Sequence, residues 1–274
     1  FFPKHMRLTG QEVRMDLVLS YAERALTRAK DLGAACVVFG SGSAKNVPKG
    51  TSLEKGYQQI VDLLNQIASL AANRDIIICI EPLRKQECNL INTFEEGGRL
   101  ADELRHPNIK VLADYFHMMA EAEPMSHLSG PGGRYLAHVH FSSSERKFPG
   151  YQDEAAYHEF FNELNRIGYD GRISCEAYSG DFKAEAPVTL EFLKHMDARD
   201  KEKEDSDEKN IVYHKRYSHY RRDSAGVFYG LFVDTKQYCG KCADPGSIYF
   251  WSLSDFCDHT GVSVWCGSCN SQRS

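Results

Sequence analysis

Glu81, Asp114, His140 and Glu176 each close an apolar run of strand length. The runs cover residues 76–81, 109–114, 135–140 and 171–176, and polar or turn-forming residues follow each one. If these strands are parallel, their C-terminal ends share one rim and the four side chains converge on it. Three carboxylates and one imidazole form a hard, mostly oxygen donor set. That set suits a divalent cation such as Mn²⁺ or Co²⁺, with Mg²⁺ also compatible. Two carboxylates on either side of a metal-held hydroxy-ketone would serve as base on one face and acid on the other. The metal would polarise the carbonyl and stabilise the enediolate between the two proton transfers. Taken singly, an acid at a strand end is more often a loop cap or an ion-pair partner, so the set of four carries the reading. His138 and His140 are read as facing opposite sides of their strand, so that only one of them enters the site.

The elements that must position these residues alternate helix and strand. Residues 17–32 carry Leu19, Ala22, Ala25, Leu26 and Ala29 at helical spacing and lead through Gly33 into a strand at 35–39. Gly40-Ser41-Gly42 closes that strand, and reads as a tight turn or, with Lys45 nearby, as a phosphate cradle. Residues 53–72 form a second amphipathic helix, with Tyr57, Ile60, Leu64, Ile67 and Leu70 on one side. Further helices are predicted at 93–104, 155–167 and 187–196, with Pro187 in the first turn of the last. Five strands alternating with helices imply a parallel sheet with right-handed crossovers. Ligands at strand C-termini are the arrangement of an α/β (β/α)₈ TIM barrel. The chain is read as strands 4 to 8 of such a barrel over residues 1–196. About three βα units, on the order of 60–80 residues, are expected upstream of Phe1.

Composition bounds the rest. A net charge of −5 gives no support for a nucleic-acid partner. No apolar run approaches the roughly 20 residues of a membrane span, and the opening residues lack a signal-peptide pattern. The expected partner is a small molecule, the expected compartment the cytoplasm, and a homo-oligomer is left open. Cys36, Cys79, Cys88 and Cys175 read as buried free thiols. Residues 197–223 are almost entirely charged or polar and read as a linker. Residues 224–274 form a Cys-rich extension of unknown nature. Within it, Cys239-x-x-Cys242 and Cys266-x-x-Cys269, with 23 residues between the pairs, have the form of a four-Cys structural Zn²⁺ site. A shifted reading frame is the alternative origin of that tail.

Five motifs carry a family resemblance: Phe39-Gly40-Ser41-Gly42, Ile80-Glu81-Pro82-Leu83, Asp114-Tyr115-Phe116-His117, His138-Val139-His140 and Cys175-Glu176. In order and spacing they resemble the xylose isomerase-like TIM barrels, and among these the sugar phosphate isomerase/epimerase group that includes D-tagatose 3-epimerase. The resemblance covers about residues 1–196. It implies that Glu81, Asp114, His140 and Glu176 are the metal ligands and that Glu81 and Glu176 are also the acid/base pair. It further implies that His117, Arg146 and Glu87 contact substrate oxygens, although Glu87 also reads as an ion-pair partner in its polar loop. The implied reaction is isomerisation or epimerisation of a ketose or sugar phosphate. A dehydratase of the inosose type on the same scaffold is the alternative, as is an inactive truncated barrel. The apurinic endonucleases of this fold are disfavoured. Phe39-Gly40 stands where they need a His, and no Asp-x-His pair follows His140.

Overall fold

The computed structural model describes residues 1–150 and 155–198, together with the backbone of two strands at 227–233 and 249–252. Five parallel strands stand side by side in sequence order: β1 (Cys36–Phe39), β2 (Ile77–Ile80), β3 (Ile109–Asp114), β4 (Leu136–Phe141) and β5 (Ile173–Ser179). Helices connect them: α1 (Met15–Asp31) precedes β1, and α2 (Gly42–Lys45) and α3 (Leu53–Ala72) follow it. Next come α4 (Phe94–Leu104) after β2, α5 (Tyr115–Ala120) after β3, α6 (Ala155–Arg166) after β4 and α7 (Phe182–Ala198) after β5. This is the parallel strand-and-helix half of a TIM barrel. The remaining strands, β6 (Val227–Val233) and β7 (Tyr249–Ser252), add to the sheet antiparallel, so they do not continue the βα series. Cys239, Cys242, Cys266 and Cys269 lie outside the described residues.

Local chemistry accounts for most boundaries. Gly33, at φ +77°, ends α1: its N–H reaches Lys30 O at 2.9 Å and the Ala34 N–H reaches Ala29 O at 2.9 Å. Ser52 caps α3 by accepting from the Lys55 N–H at 3.2 Å, and Thr93 caps α4 by accepting from the Glu96 N–H at 3.2 Å. The last helix departs from expectation. It begins at Phe182, not at Pro187, because Asp181 caps it by accepting from the Ala184 N–H at 3.2 Å. Pro187 therefore lies inside the helix, on its exposed side. β5 also runs past Glu176 to Ser179, because β6 pairs with it from Ile173 to Ser179. Its parallel ladder with β4 ends one residue earlier, at Cys175, so Glu176 still sits at the rim.

Strand alternation divides the apolar residues between two faces. Val37, Phe39, Ile78, Ile80, Val111, Val139, Phe141 and Ile173 join one large core with Leu26, Ile60, Leu64, Leu100 and Leu193 of the helices. Val38, Cys79 and Leu112 form a separate small cluster on the inner face, below the rim. Tyr115 is fully buried, its ring 4.9 Å from Phe141, 5.4 Å from Tyr157 and 5.3 Å from Phe160. That aromatic packing anchors the residue directly after Asp114, which fixes the start of α5 against the rim.

Candidate metal and substrate site

The four strand-end residues converge. His140 Nδ1 lies 2.6 Å from Glu176 Oε2, 3.0 Å from Glu81 Oε1 and 3.7 Å from Asp114 Oδ2. One ligand atom from each of the four falls within 4.8 Å of every other. Three carboxylates gathered on one imidazole in a buried site demand cationic neutralisation, and their donor atoms fit a hard divalent cation. Arg146 brings one positive charge to these carboxylates. Its Nη1 donates to Asp114 Oδ1 at 2.8 Å and Oδ2 at 2.7 Å, and its Nη2 lies 2.7 Å from Glu176 Oε2.

The titration of these groups follows from the same contacts. Burial alone would raise the Asp114 carboxyl, but Arg146, His117 and His140 hold it well below the usual carboxylate range. Burial likewise works to raise Glu176, yet Arg146 and His140 bring it down to about 2. Burial works to lower His140, but the Glu176 carboxylate and hydrogen bonds to Asp114, Glu176 and Glu81 raise its pKa well above the ordinary imidazole value.

The implied substrate residues gather at the same rim. His117 Nδ1 accepts from the Arg84 N–H at 3.3 Å, and its Nε2 lies 3.8 Å from Asp114 Oδ2. Arg146 adopts φ +59°, a left-handed conformation that a side chain disfavours by about 1–2 kcal/mol. The turn is held by the Arg146 N–H donating to Ser143 O at 2.9 Å and the Tyr178 N–H donating to Arg146 O at 2.7 Å. Its two carboxylate partners complete the compensation. Glu87 accepts from Arg84 Nε at 2.8 Å, so it makes the ion pair and also lines the cleft. That cleft, of about 220 Å³, is lined by Gly40, Glu81, Arg84, Phe116, His117 and Arg146, among others.

Three features correct or extend the sequence reading. His138 and His140 share the inner face, since residues two apart on a strand point the same way. Their rings stand edge-on at 5.3 Å, and His138 Nε2 bonds Ser174 Oγ at 2.7 Å one layer below the candidate ligands. The turn at Gly40 makes room for the site. A Cβ at Gly40 would lie 2.2 Å from Glu81 Oε2, so only glycine admits that carboxylate. Lys45 does not face an anion: it is fully buried and its Nζ donates to the Glu81 carbonyl oxygen at 3.3 Å. Phe116 and Arg84 were missed as site residues. Their positions, inside one quoted motif and directly after another, were the available signal.

Fold and site together define a half-barrel of βα units with a carboxylate–imidazole cluster at its carboxyl rim. A family model described as a xylose isomerase-like TIM barrel matches residues 6–198. The chain belongs to that family. Over 122 residues it is 31% identical to the D-psicose 3-epimerase of Ruminiclostridium cellulolyticum, covering 44% of this chain and 41% of the relative. Over 173 residues it is 29% identical to the ketose 3-epimerase of Arthrobacter globiformis, covering 61% and 59%. The matched segments thus span about two to three fifths of these relatives' length. The crystal structure of D-psicose 3-epimerase with D-tagatose, from Clostridium cellulolyticum H10, shares the fold at a TM-score of 0.63. That match has 22% identity and covers 71% of this chain and 75% of the other.

Proposed function

We propose that this protein is a divalent-metal-dependent isomerase or epimerase of a ketose or sugar phosphate, working by proton transfer. Glu81, Asp114, His140 and Glu176 would hold the cation, which supplies Lewis-acid polarisation of the substrate carbonyl when bound. The observation that carries the reading is the placement of Glu81 and Glu176. They reach one centre from β2 and β5, on opposite sides of the β3–β4 pair, at 3.0 and 2.6 Å from His140 Nδ1. One carboxylate removes the proton from the carbon beside the carbonyl. The other returns a proton, to the opposite face of that carbon for epimerisation or to the neighbouring carbon for isomerisation. His117, Arg146 and Glu87 orient the substrate hydroxyls by hydrogen bonding. The names of the curated relatives, D-psicose and ketose 3-epimerases, support epimerisation at a ketose carbon.

The test is proton exchange. Full-chain protein with Mn²⁺ or Co²⁺, incubated in D₂O with a panel of ketoses, is expected to place deuterium on a carbon beside the carbonyl. Chelation is expected to abolish that exchange. Absence of both metal binding and deuterium incorporation would sink the proposal, and accumulation of a dehydrated ketone would move the chemistry to a lyase.

A further inference from the structure

The cleft contains a cation that is held rigidly yet leaves its recognition edge open. Arg84 Nε donates to Glu87 Oε1 at 2.8 Å, and its guanidinium carbon lies over the Phe116 ring, 4.7 Å from the centroid. Its backbone N–H is tied to His117 Nδ1 at 3.3 Å. Among the described residues its two terminal amino groups meet no acceptor, although Arg84 lines the cleft. Arg146 is the contrast. It lies the same 4.7 Å from the Phe116 ring centroid, but Asp114 and Glu176 take up its amino groups.

The two guanidinium carbons, sharing one ring, are no more than twice that distance apart. Arg84 lines the same cleft as Glu81 and Glu176, which puts its guanidinium within reach of a short sugar chain whose other end lies at those two carboxylates. A planar guanidinium with two parallel N–H groups free matches a carboxylate or phosphate in bidentate fashion. Stacking on Phe116 and the bond to Glu87 pre-organise it, which lowers the ordering cost of binding. An ordinary hydroxyl would use only part of this arrangement.

We propose that Arg84 selects substrates that carry an anionic group, a carboxylate or a phosphate, on the end of the chain remote from the carbon that exchanges its proton. This inference rests on the isomerase/epimerase reading above. It makes Arg84 a specificity-determining residue and assigns Phe116 the role of its platform.

The experiment compares kcat/KM for D-tagatose, D-tagatose 6-phosphate and the matching uronate, using full-chain protein with Mn²⁺. Wild type, Arg84→Gln and Arg84→Lys are assayed in parallel, and calorimetry measures binding of each anionic sugar to each protein. Wild type is expected to favour one anionic sugar over D-tagatose, and the favoured one separates phosphate from carboxylate. Arg84→Gln is expected to reduce the anionic-to-neutral ratio by about 10- to 100-fold, the worth of a charge-assisted hydrogen-bonded pair. Arg84→Lys should retain part of the preference, because a lysine keeps the charge and loses the fork. An unmoved ratio, with D-tagatose still turned over, overturns the anion proposal and leaves the isomerase reading intact. Arg84-dependent binding of an anionic sugar without deuterium exchange in any sugar does the reverse.

Discussion

A methyl group at position 40 would sit 2.2 Å from Glu81 Oε2, and that single contact separates the fold from the candidate metal site. Gly40 has no left-handed φ, so alanine meets no backbone strain there. Replacing glycine at an unstrained position ordinarily stabilises by about 0.4–1 kcal/mol through the unfolded chain. The obstructing atom is the far end of a flexible carboxylate, which can swing away. Ordinary van der Waals contact begins near 3.4 Å, so Oε2 must retreat by at least about 1 Å. Metal ligands tolerate displacement of only about 0.2 Å. Gly40→Ala is therefore expected to melt within a few degrees of wild type while binding Mn²⁺ about 10- to 100-fold more weakly, an effect comparable to disturbing a ligand's support. Calorimetric titration with Mn²⁺ and thermal denaturation of the metal-free protein read the two quantities separately. Gly180→Ala is the matched control, because a Cβ there meets nothing within 4 Å. Manganese affinity within threefold of wild type in Gly40→Ala would refute the argument that this glycine exists for the Glu81 carboxylate.

Two further outcomes follow from the same contacts. Arg146→Met leaves buried Asp114 and its neighbour Glu176 without their guanidinium partner. Loss of one member of a buried ion pair costs about 3–5 kcal/mol, and added Mn²⁺ is expected to restore part of it; unchanged metal-free melting would contradict the assignment. Asp181→Ala removes the cap on the Ala184 N–H and is expected to cost about 0.5–2 kcal/mol, with Asp181→Asn near wild type in denaturant titrations.

Much of the fold was legible because its signals are local. Ser52, Thr93 and Gly33 satisfy backbone groups within a few residues of themselves, so caps and boundaries follow from short spacings. Asp181 escaped notice because Pro187 offered a stronger start signal five residues inside the real helix. The four candidate ligands were legible for a topological reason. Parallel strands joined by helices place every strand C-terminus on one rim, so an acid or imidazole ending each run must meet the others.

Tertiary packing decided what the remaining residues do. Gly40 and Glu81 directly follow neighbouring strands, and nothing near either in sequence says that a carboxylate will occupy the missing Cβ position. Lys45 has the composition of an anion binder, yet its chain folds beneath the site and turns its ammonium to the Glu81 carbonyl. Arg84 and Arg146 look alike as charges and both stack on Phe116, but among the described residues only Arg146 has carboxylates, those of Asp114 and Glu176, on its terminal amino groups. The sequence by itself determined which groups reach the rim, through strand period and parallel order. Only the packed structure determined which of their atoms are already taken, because that depends on contacts between loops far apart in the chain.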